Sequence, residues 1–541
     1  MANRDSFHYI VVGAGSAGCV VASRLSQRAT VLLLEAGGSG GGPEGGEDVG
    51  SLIADPDKVI LAQWDERIVR RYQTVTQPGL GGRRIIQNRG VVRGGSSAVN
   101  GMIYVRGHRR DYDTWAQLGN EGWSFADVLP VFKKSEDFDP GPLMYAAEDL
   151  SHHGRGGPLH VRSLPGPSAV AEAFIAAAGE LGYGGGDSPW DFNGRRQEGG
   201  AGLYQVTVTA GGRRASAASA FLDALAIPER LTLIAGAPVS RLLLEHGRAV
   251  GVECVQAGQP RTYRAEREVI VSAGALESPK ILMLSGIGPA DDLRAKGITV
   301  RVDLPGVGQN LQDHLMILIC HPSRRDPGQS GFTAEAGLFA STRDQSGAVS
   351  PDLQFHVLAR LPPQPPWLAA LLRLPPQYFV VCPTLCKPHS RGQVTLRSDL
   401  PGDDVLIQPN YLECAADVEV LARGIELTRE LARARGLRDF SDDAQVPFAI
   451  SGTTFARLSL PAGRGRALSE FIAATSTTVW HPAGTCGMGR GRHAVVDPEL
   501  RVHGVDGLRV ADASVMPTVP AGNINAACIM IGERCADLVG P

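Results

Sequence analysis

An apolar run, Tyr9 to Val12, breaks into the turn Gly13-Ala14-Gly15-Ser16-Ala17-Gly18 and continues from Cys19 to Leu25 as a stretch that can wind into a helix. A second apolar run, Thr30 to Leu34, ends at Glu35. Strand, glycine turn, helix, strand and terminal acid, in that order, predict a βαβ unit. In such a unit the first glycine permits a tight turn, the second lets the backbone approach a pyrophosphate, and the third lets helix and strand pack closely. The helix N-terminus offers amide donors to phosphate oxygens. Glu35 can bind a ribose hydroxyl, and an acid rather than an arginine there points to a free 2′-hydroxyl, as in FAD or NAD, over NADP.

Glycine is abundant well beyond this turn, with 67 in 541 residues against a typical share of roughly 7%. No Gly-X-Y period accompanies it and 43% of residues are hydrophobic, which excludes a collagen-like rod and a disordered chain. The length predicts two or more domains, or one carrying a large insertion. Lys plus Arg at 53 against Asp plus Glu at 56 leaves a net charge of −3 with no long run of one sign, so nucleic acid and anionic membrane are not expected partners. The nine scattered cysteines read as reduced thiols. The first strand begins within eight residues, leaving no room for a secretory leader, and no apolar run reaches the roughly 18 residues of a spanning helix. These features together predict a cytoplasmic protein without a transmembrane segment.

Beyond Glu35 comes a low-complexity glycine loop from Gly37 to Gly50, then a glycine-rich region from Arg83 to Tyr112 and amphipathic stretches around Trp115 and from Val128 to Lys134. Segments 231–244 and 248–255 alternate like paired strands about a His-Gly turn. Between 312 and 464 glycine thins out, with a strand near Val394 and a helix from Val418 to Arg435, as in a separate domain. From Thr478 the glycine-rich character returns. Cys382, Cys386 and His389 have a spacing that suggests a metal, but zinc needs a fourth ligand and a closed shell, so no metal is expected.

Four further segments carry a resemblance: GlyGlySerSerAlaValAsnGlyMetIleTyrValArgGly from Gly94, SerAlaGlyAlaLeuGluSerProLys from Ser272, HisProAlaGlyThrCysGlyMetGly from His481, and ArgValAlaAspAlaSer from Arg509 followed by GlyAsnIleAsn from Gly522. With the GxGxxG turn they resemble the glucose-methanol-choline family of FAD-dependent oxidoreductases over nearly the whole chain. The resemblance implies an α/β fold, a Rossmann-like FAD-binding domain with a substrate-binding domain containing an antiparallel sheet and flanking helices. It divides the chain into 1–158 (FAD-binding), 159–197 (substrate-domain excursion), 198–311 (FAD-binding), 312–464 (substrate-binding) and 465–541 (FAD-binding, with the catalytic pair).

The resemblance also assigns roles. Gly13, Gly15, Ser16, Ala17, Gly18, Glu35 and Ala36 would hold the ADP half of FAD, with Val239 on the adenine side. Arg93, Gly95, Ser96, Asn100, Gly101 and Met102 would run along the pyrophosphate and isoalloxazine. Ala273, Gly274, Asp512 and Ala513 would approach the pyrophosphate or ribityl chain, with Asn525 and Trp480 near the ring. Val99 stands where some members carry a histidine that binds FAD covalently, which implies noncovalent FAD. His481 would serve as general base and Asn523 would hold the substrate oxygen while a primary alcohol is oxidised to an aldehyde, electrons passing to oxygen or another acceptor. Trp480 either walls the substrate or packs in the core, and Glu335 either faces a cationic head group or is structural. The apolar stretch from Pro362 to Pro376 is either a lid or a packed helix. Flavin-bound lyases resembling hydroxynitrile lyases, and fatty-acid photodecarboxylases, are the alternatives within the same resemblance. A cysteine near Cys386 occurs in the photodecarboxylase branch, but that branch lacks the pair His481 and Asn523.

Overall fold

The computed structural model describes residues 5–38, 48–184, 189–197, 199–225, 228–328, 331–343, 349–361, 372, 374–442, 444–451 and 456–540. The stretch from Pro362 to Pro376 lies outside these residues apart from 372 and 374–376, and so does most of the loop from Gly37 to Gly50. No described helix is long and apolar enough to cross a membrane.

Two sheets organise the chain. The first has seven strands and is built on Ser6–Val12, where Ile10 and Val11 are fully buried as a strand covered on both faces requires. Its order is Leu231–Ile234, Val31–Leu34, Ser6–Val12, Gln259–Val271, Arg248–Gln256 and Val239–Glu245, with Leu508–Val510 also pairing on Gln259–Val271. The pairings among 231–234, 31–34, 6–12, the end of 259–271 and 508–510 are parallel, and the hairpin of 239–245, 248–256 and the start of 259–271 is antiparallel. The helix Ser16–Ser26 follows the glycine turn, and the C-terminal helix Asn525–Leu538 is tied to it where Arg24 Nη2 meets the buried Glu533 carboxylate at 2.6 Å.

Segment 231–244 corrects one expectation. It is not one strand of a hairpin, because Gly236 at φ +67° and Pro238 break it. Leu231–Ile234 crosses to the far edge beside Val31–Leu34, and only Val239–Glu245 joins the hairpin.

The second sheet is antiparallel and has nine strands. Its main order is Arg457–Ser459, Phe448–Ile450, Ile319–Pro322, Tyr378–Leu385, Leu353–Leu358, Ala336–Ala340 and Gly200–Leu203, and Leu315–Met316 bridges Tyr378–Leu385 to Thr477–Thr478. The period of two separates its faces. Phe379, Val381 and Leu385 share a core with the helices Ala169–Glu180 and Ala415–Arg433, whereas Val380 and Cys382 turn the other way, toward Val105, Phe339 and Ala521. Boundaries at 198 and 465 each leave one strand of this sheet, Gly200–Leu203 and Thr477–Thr478, among the segments assigned to the other domain.

A buried ionic cluster joins the segments around 106, 136, 153 and 191. The Arg106 guanidinium pairs with Glu136, while His153 reaches Glu136 through Nδ1 at 2.9 Å and Asp191 through Nε2 at 2.8 Å. Both ring nitrogens face carboxylates, so the ring is an imidazolium there, and hydrogen bonds to Asp191 and Glu136 raise its pKa against the opposing cost of burial. A histidine raised in the folded state stabilises fully below its unfolded value near 6.5, and that contribution is lost as pH rises through the folded value. Removing one member of such a cluster typically costs about 3–5 kcal/mol. Thermal unfolding of His153→Gln should therefore fall furthest below wild type near pH 6, with the gap narrowing as pH rises; a gap independent of pH would show that His153 is not charged.

Candidate active site

The glycine turn lies at the carboxyl ends of the parallel strands Ser6–Val12 and Val31–Leu34, the usual place for a ligand crevice in such a sheet. Gly13 has φ +98°, and an added Cβ on Gly18 would overlap the Gly13 carbonyl oxygen, so both positions require glycine for the protein's own packing. Gly15 is different. An added Cβ there would meet only the Ser272 carbonyl at 3.9 Å, and one on Gly274 would meet nothing within 4 Å. Among the described residues the buried Ser272 hydroxyl beside this space has no hydrogen-bond partner.

Glu35 braces the turn, its Oε2 accepting from Ala14 N at 2.8 Å and its Oε1 from Gly37 N at 2.9 Å. Burial pushes its pKa up to about 7. Ala36 beside it is exposed. Gly236 N donates to Gly37 O and Ala237 N to Glu35 O, which brings the start of the strand Val239–Glu245 alongside. Gly94 N donates to Ala14 O at 2.8 Å and lays the second glycine block over the turn. In that block Ser96 Oγ accepts from Gly90 N, Gly101 lies against Thr333, and Asn100 Oδ1 takes Met102 N at 3.0 Å and Arg214 Nη1 at 2.9 Å. Met102 has φ +61°, a strained conformation for a side chain of its size.

Helix Ser16–Ser26 starts with the Ser16 hydroxyl donating to Asn525 Oδ1 at 2.7 Å and continues through Ala17 and Gly18. Asp512 gathers the other side, its carboxylate accepting from Gly274 N, Ser278 Oγ and Ser514 N. Ala273 N also donates to Ser278 Oγ, and Ala513 O accepts from Gly484 N. The turn at Gly13, the open space at Gly15 and Gly274 and the orphaned Ser272 hydroxyl fit an extended dinucleotide. The Arg93 guanidinium, just before the block from Gly94, pairs with Asp223.

His481 and Asn523 come together next to this cradle, with Asn523 Nδ2 at 3.5 Å from His481 Nε2. The strand pairing of Thr477–Thr478 with Leu315–Met316 delivers His481, and its backbone N–H is held by Asp313 Oδ1 at 2.8 Å. Trp480, just before it, has φ +61°; its indole donates to Ile86 O at 3.1 Å and its carbonyl accepts from Arg89 Nη2 at 2.6 Å. Gln354 Nε2 donates to Asn523 Oδ1 at 3.3 Å, which turns the amide Nδ2 toward His481. Burial, followed by the neighbouring His314, His356 and Arg89, holds the His481 pKa well below its ordinary value. Its imidazole is neutral at neutral pH and can accept a proton.

Several residues here were not singled out from the sequence. His314 Nδ1 lies 3.0 Å from His481 Nδ1, the rings meeting edge to face at 85°. That contact needs one donor and one acceptor, so the two rings share one proton along it. Burial pushes His314 down to about 3. Asp313 Oδ2 accepts from Gln87, Tyr411 and Thr478, fixing the base of the site. Burial lowers His356 to about 4, and its Nδ1 lies 2.9 Å from Tyr204 Oη. One signal could have found two of them: Gln354 and His356 are the polar alternate positions of an otherwise apolar strand, the mark of a face lined by polar groups.

Glu335 is fully buried and accepts from Ser168 N at 2.6 Å and Ser168 Oγ at 3.0 Å, at the start of helix Ala169–Glu180. Cys382 and Cys386 are buried, and His389 turns instead to Arg343 and Asp417. Among the described residues no three metal-ligating side chains gather.

Residues 7–316 match the N-terminal region of the GMC oxidoreductase family and residues 388–532 its C-terminal region. The chain is 38% identical to human mitochondrial choline dehydrogenase over 99% of its own length and 90% of that protein. It is 38% identical to the oxygen-dependent choline dehydrogenase of Sinorhizobium fredii, covering 98% of this chain and 94% of the other. Pyridoxine 4-oxidase from Mesorbium loti superposes with a TM-score of 0.84 at 32% identity over 99% of both chains.

Proposed function

The chain belongs to the GMC oxidoreductase family, and from that premise we propose that it oxidises a primary alcohol to an aldehyde, with His481 as general base and Asn523 holding the substrate oxygen. The observation that carries this reading is the approach of Asn523 Nδ2 to His481 Nε2 at 3.5 Å beside a cradle that fits a dinucleotide. FAD is the cofactor of the family, and when bound it supplies the hydride acceptor.

The chain's own residues do the rest. Asn523 donates Nδ2–H to the alcohol oxygen, and its Oδ1 is kept from that oxygen by Gln354. His481 receives the hydroxyl proton at Nε2, and its Nδ1–H is directed to His314, which stays neutral. Turnover then requires an external two-electron acceptor, oxygen or another. Gly13, Gly15, Glu35 and Asp512 would hold the cofactor's diphosphate and ribose regions, in keeping with the open space at Gly15.

Mixing the holoprotein anaerobically with aliphatic, aromatic and quaternary-ammonium alcohols tests the reading. Bleaching of the flavin by an alcohol supports it; cleavage of a hydroxynitrile without bleaching replaces it with a lyase. Val99 has no nucleophile, so acid precipitation should leave the flavin in the supernatant, and flavin carried down with the polypeptide would show a covalent bond.

A further inference from the structure

An alcohol held by Asn523 and His481 lies against one face of the nine-stranded sheet. Gln354, which reaches Asn523, belongs to that face beside the polar His356, Thr384 and Tyr204 hydroxyl, and the rest of the face is apolar, with Cys320, Leu358, Val380 and Cys382. Where this face meets the turn before Asn523, a shallow cleft opens to solvent, walled by the apolar Val105, Trp190, Phe192, Phe339, Pro351 and Ala521 with the polar His108 and Gln197 among them. Among the described residues no carboxylate lines it.

The carboxylates nearby already have donors. Both oxygens of Glu335 are engaged by Ser168. Asp313 accepts from the backbone of His314 and His481 and from Gln87, Tyr411 and Thr478. Asp111 is paired with Lys387 at 2.8 Å and also takes Ala521 N. The fixed positive charges point the other way. Arg89 lies on the Trp480 carbonyl and forms no ion pair among the described residues. The Arg196 guanidinium sits 5.1 Å from the centre of the Trp190 ring.

We propose that the site selects an uncharged alcohol whose apolar substituent lies in this cleft, and that it discriminates against quaternary-ammonium alcohols. The proposal rests on the alcohol oxidation put forward above and names its substrate class. A cation brought into this cleft loses its water and meets no carboxylate in the walls, while an apolar group of the same size gains burial. The identity to choline dehydrogenases therefore does not extend to their substrate.

Choline and 3,3-dimethylbutan-1-ol have nearly the same shape and differ in charge. With the holoprotein under anaerobic conditions, the second-order rate of flavin reduction should be at least about 100-fold greater for the best of 3,3-dimethylbutan-1-ol, 1-hexanol and benzyl alcohol than for choline, the size expected when a charge is desolvated without a partner. Choline reducing the flavin as fast as the neutral alcohols, or faster, overturns the proposal and leaves alcohol oxidation standing. Reduction by none of them overturns alcohol oxidation itself. In Trp190→Ala, with flavin content and melting midpoint as checks on folding, the rate for 1-hexanol relative to ethanol should fall about tenfold, the scale of lost apolar contact in a substrate pocket. An unchanged ratio removes the substituent from the cleft and overturns the proposal.

Discussion

His481→Ala should slow anaerobic flavin reduction by an alcohol about 10² to 10⁴-fold, the range that general base catalysis supplies, while bound flavin stays close to wild type. The two halves of this expectation come from different contacts. The imidazole faces Asn523 and His314 and braces none of the cradle around Gly13, Glu35 and Asp512, so its loss leaves the cofactor's supports in place. The His481 backbone is anchored independently by Asp313. The pH profile sharpens the test. Because burial and the neighbouring His314, His356 and Arg89 hold the His481 pKa well below 6.5, its base form persists on acidification, and the wild-type reduction rate should stay level from pH 8 to pH 6. A rate unaffected by the substitution removes His481 from the role; a wild-type rate that halves near pH 6.5 shows a base with an ordinary imidazole pKa.

Gly15→Val should purify folded and nearly free of flavin, with affinity for FAD lowered by about 10²-fold or more if two charge-assisted hydrogen bonds to the pyrophosphate are lost. Position 15 separates the two demands that a glycine turn serves. Gly18 cannot change without collision, since an added Cβ would overlap the Gly13 carbonyl, and Gly18→Ala should therefore lower the melting midpoint of the apoprotein itself. At Gly15 the protein leaves room, with only the Ser272 carbonyl at 3.9 Å from an added Cβ. A loss of flavin there, measured as absorbance per chain, without a shift of the apoprotein melting midpoint would assign that space to the cofactor. Full flavin content in Gly15→Val would place the pyrophosphate elsewhere.

Much of this organisation is legible along the chain because it is local. The turn at Gly13 and the acid at Glu35 lie within one βαβ unit, and their spacing reflects the length of one strand, one turn and one helix. The helix Ala415–Arg433 and the hairpin of Val239–Glu245 with Arg248–Gln256 follow from apolar periodicity alone. The path of Leu231–Ile234 does not, because whether a short apolar strand pairs with its neighbour in sequence or with a distant edge depends on which partner is vacant. Val31–Leu34 offered that edge.

The same division holds at the site. His481 and Asn523 can be named from their motifs, but the residues that tune them come from other segments: Asp313 and His314 before one strand, Gln354 and His356 within another, Arg89 in the glycine-rich region. Each is an ordinary polar residue in its own neighbourhood and acquires a role only where the sheets meet. Glu335 shows the reverse, since its motif leaves open a cationic head group or a structural role, and the fold sets its carboxylate on Ser168 at the start of a helix. The sequence by itself determined the strand, glycine turn, helix, strand and terminal acid of a βαβ unit, because those demands fall within one short stretch of chain. The tertiary structure alone decided which side chains surround His481 and which carboxylates there are already hydrogen-bonded, because electrostatics and desolvation act through distance in space rather than along the chain.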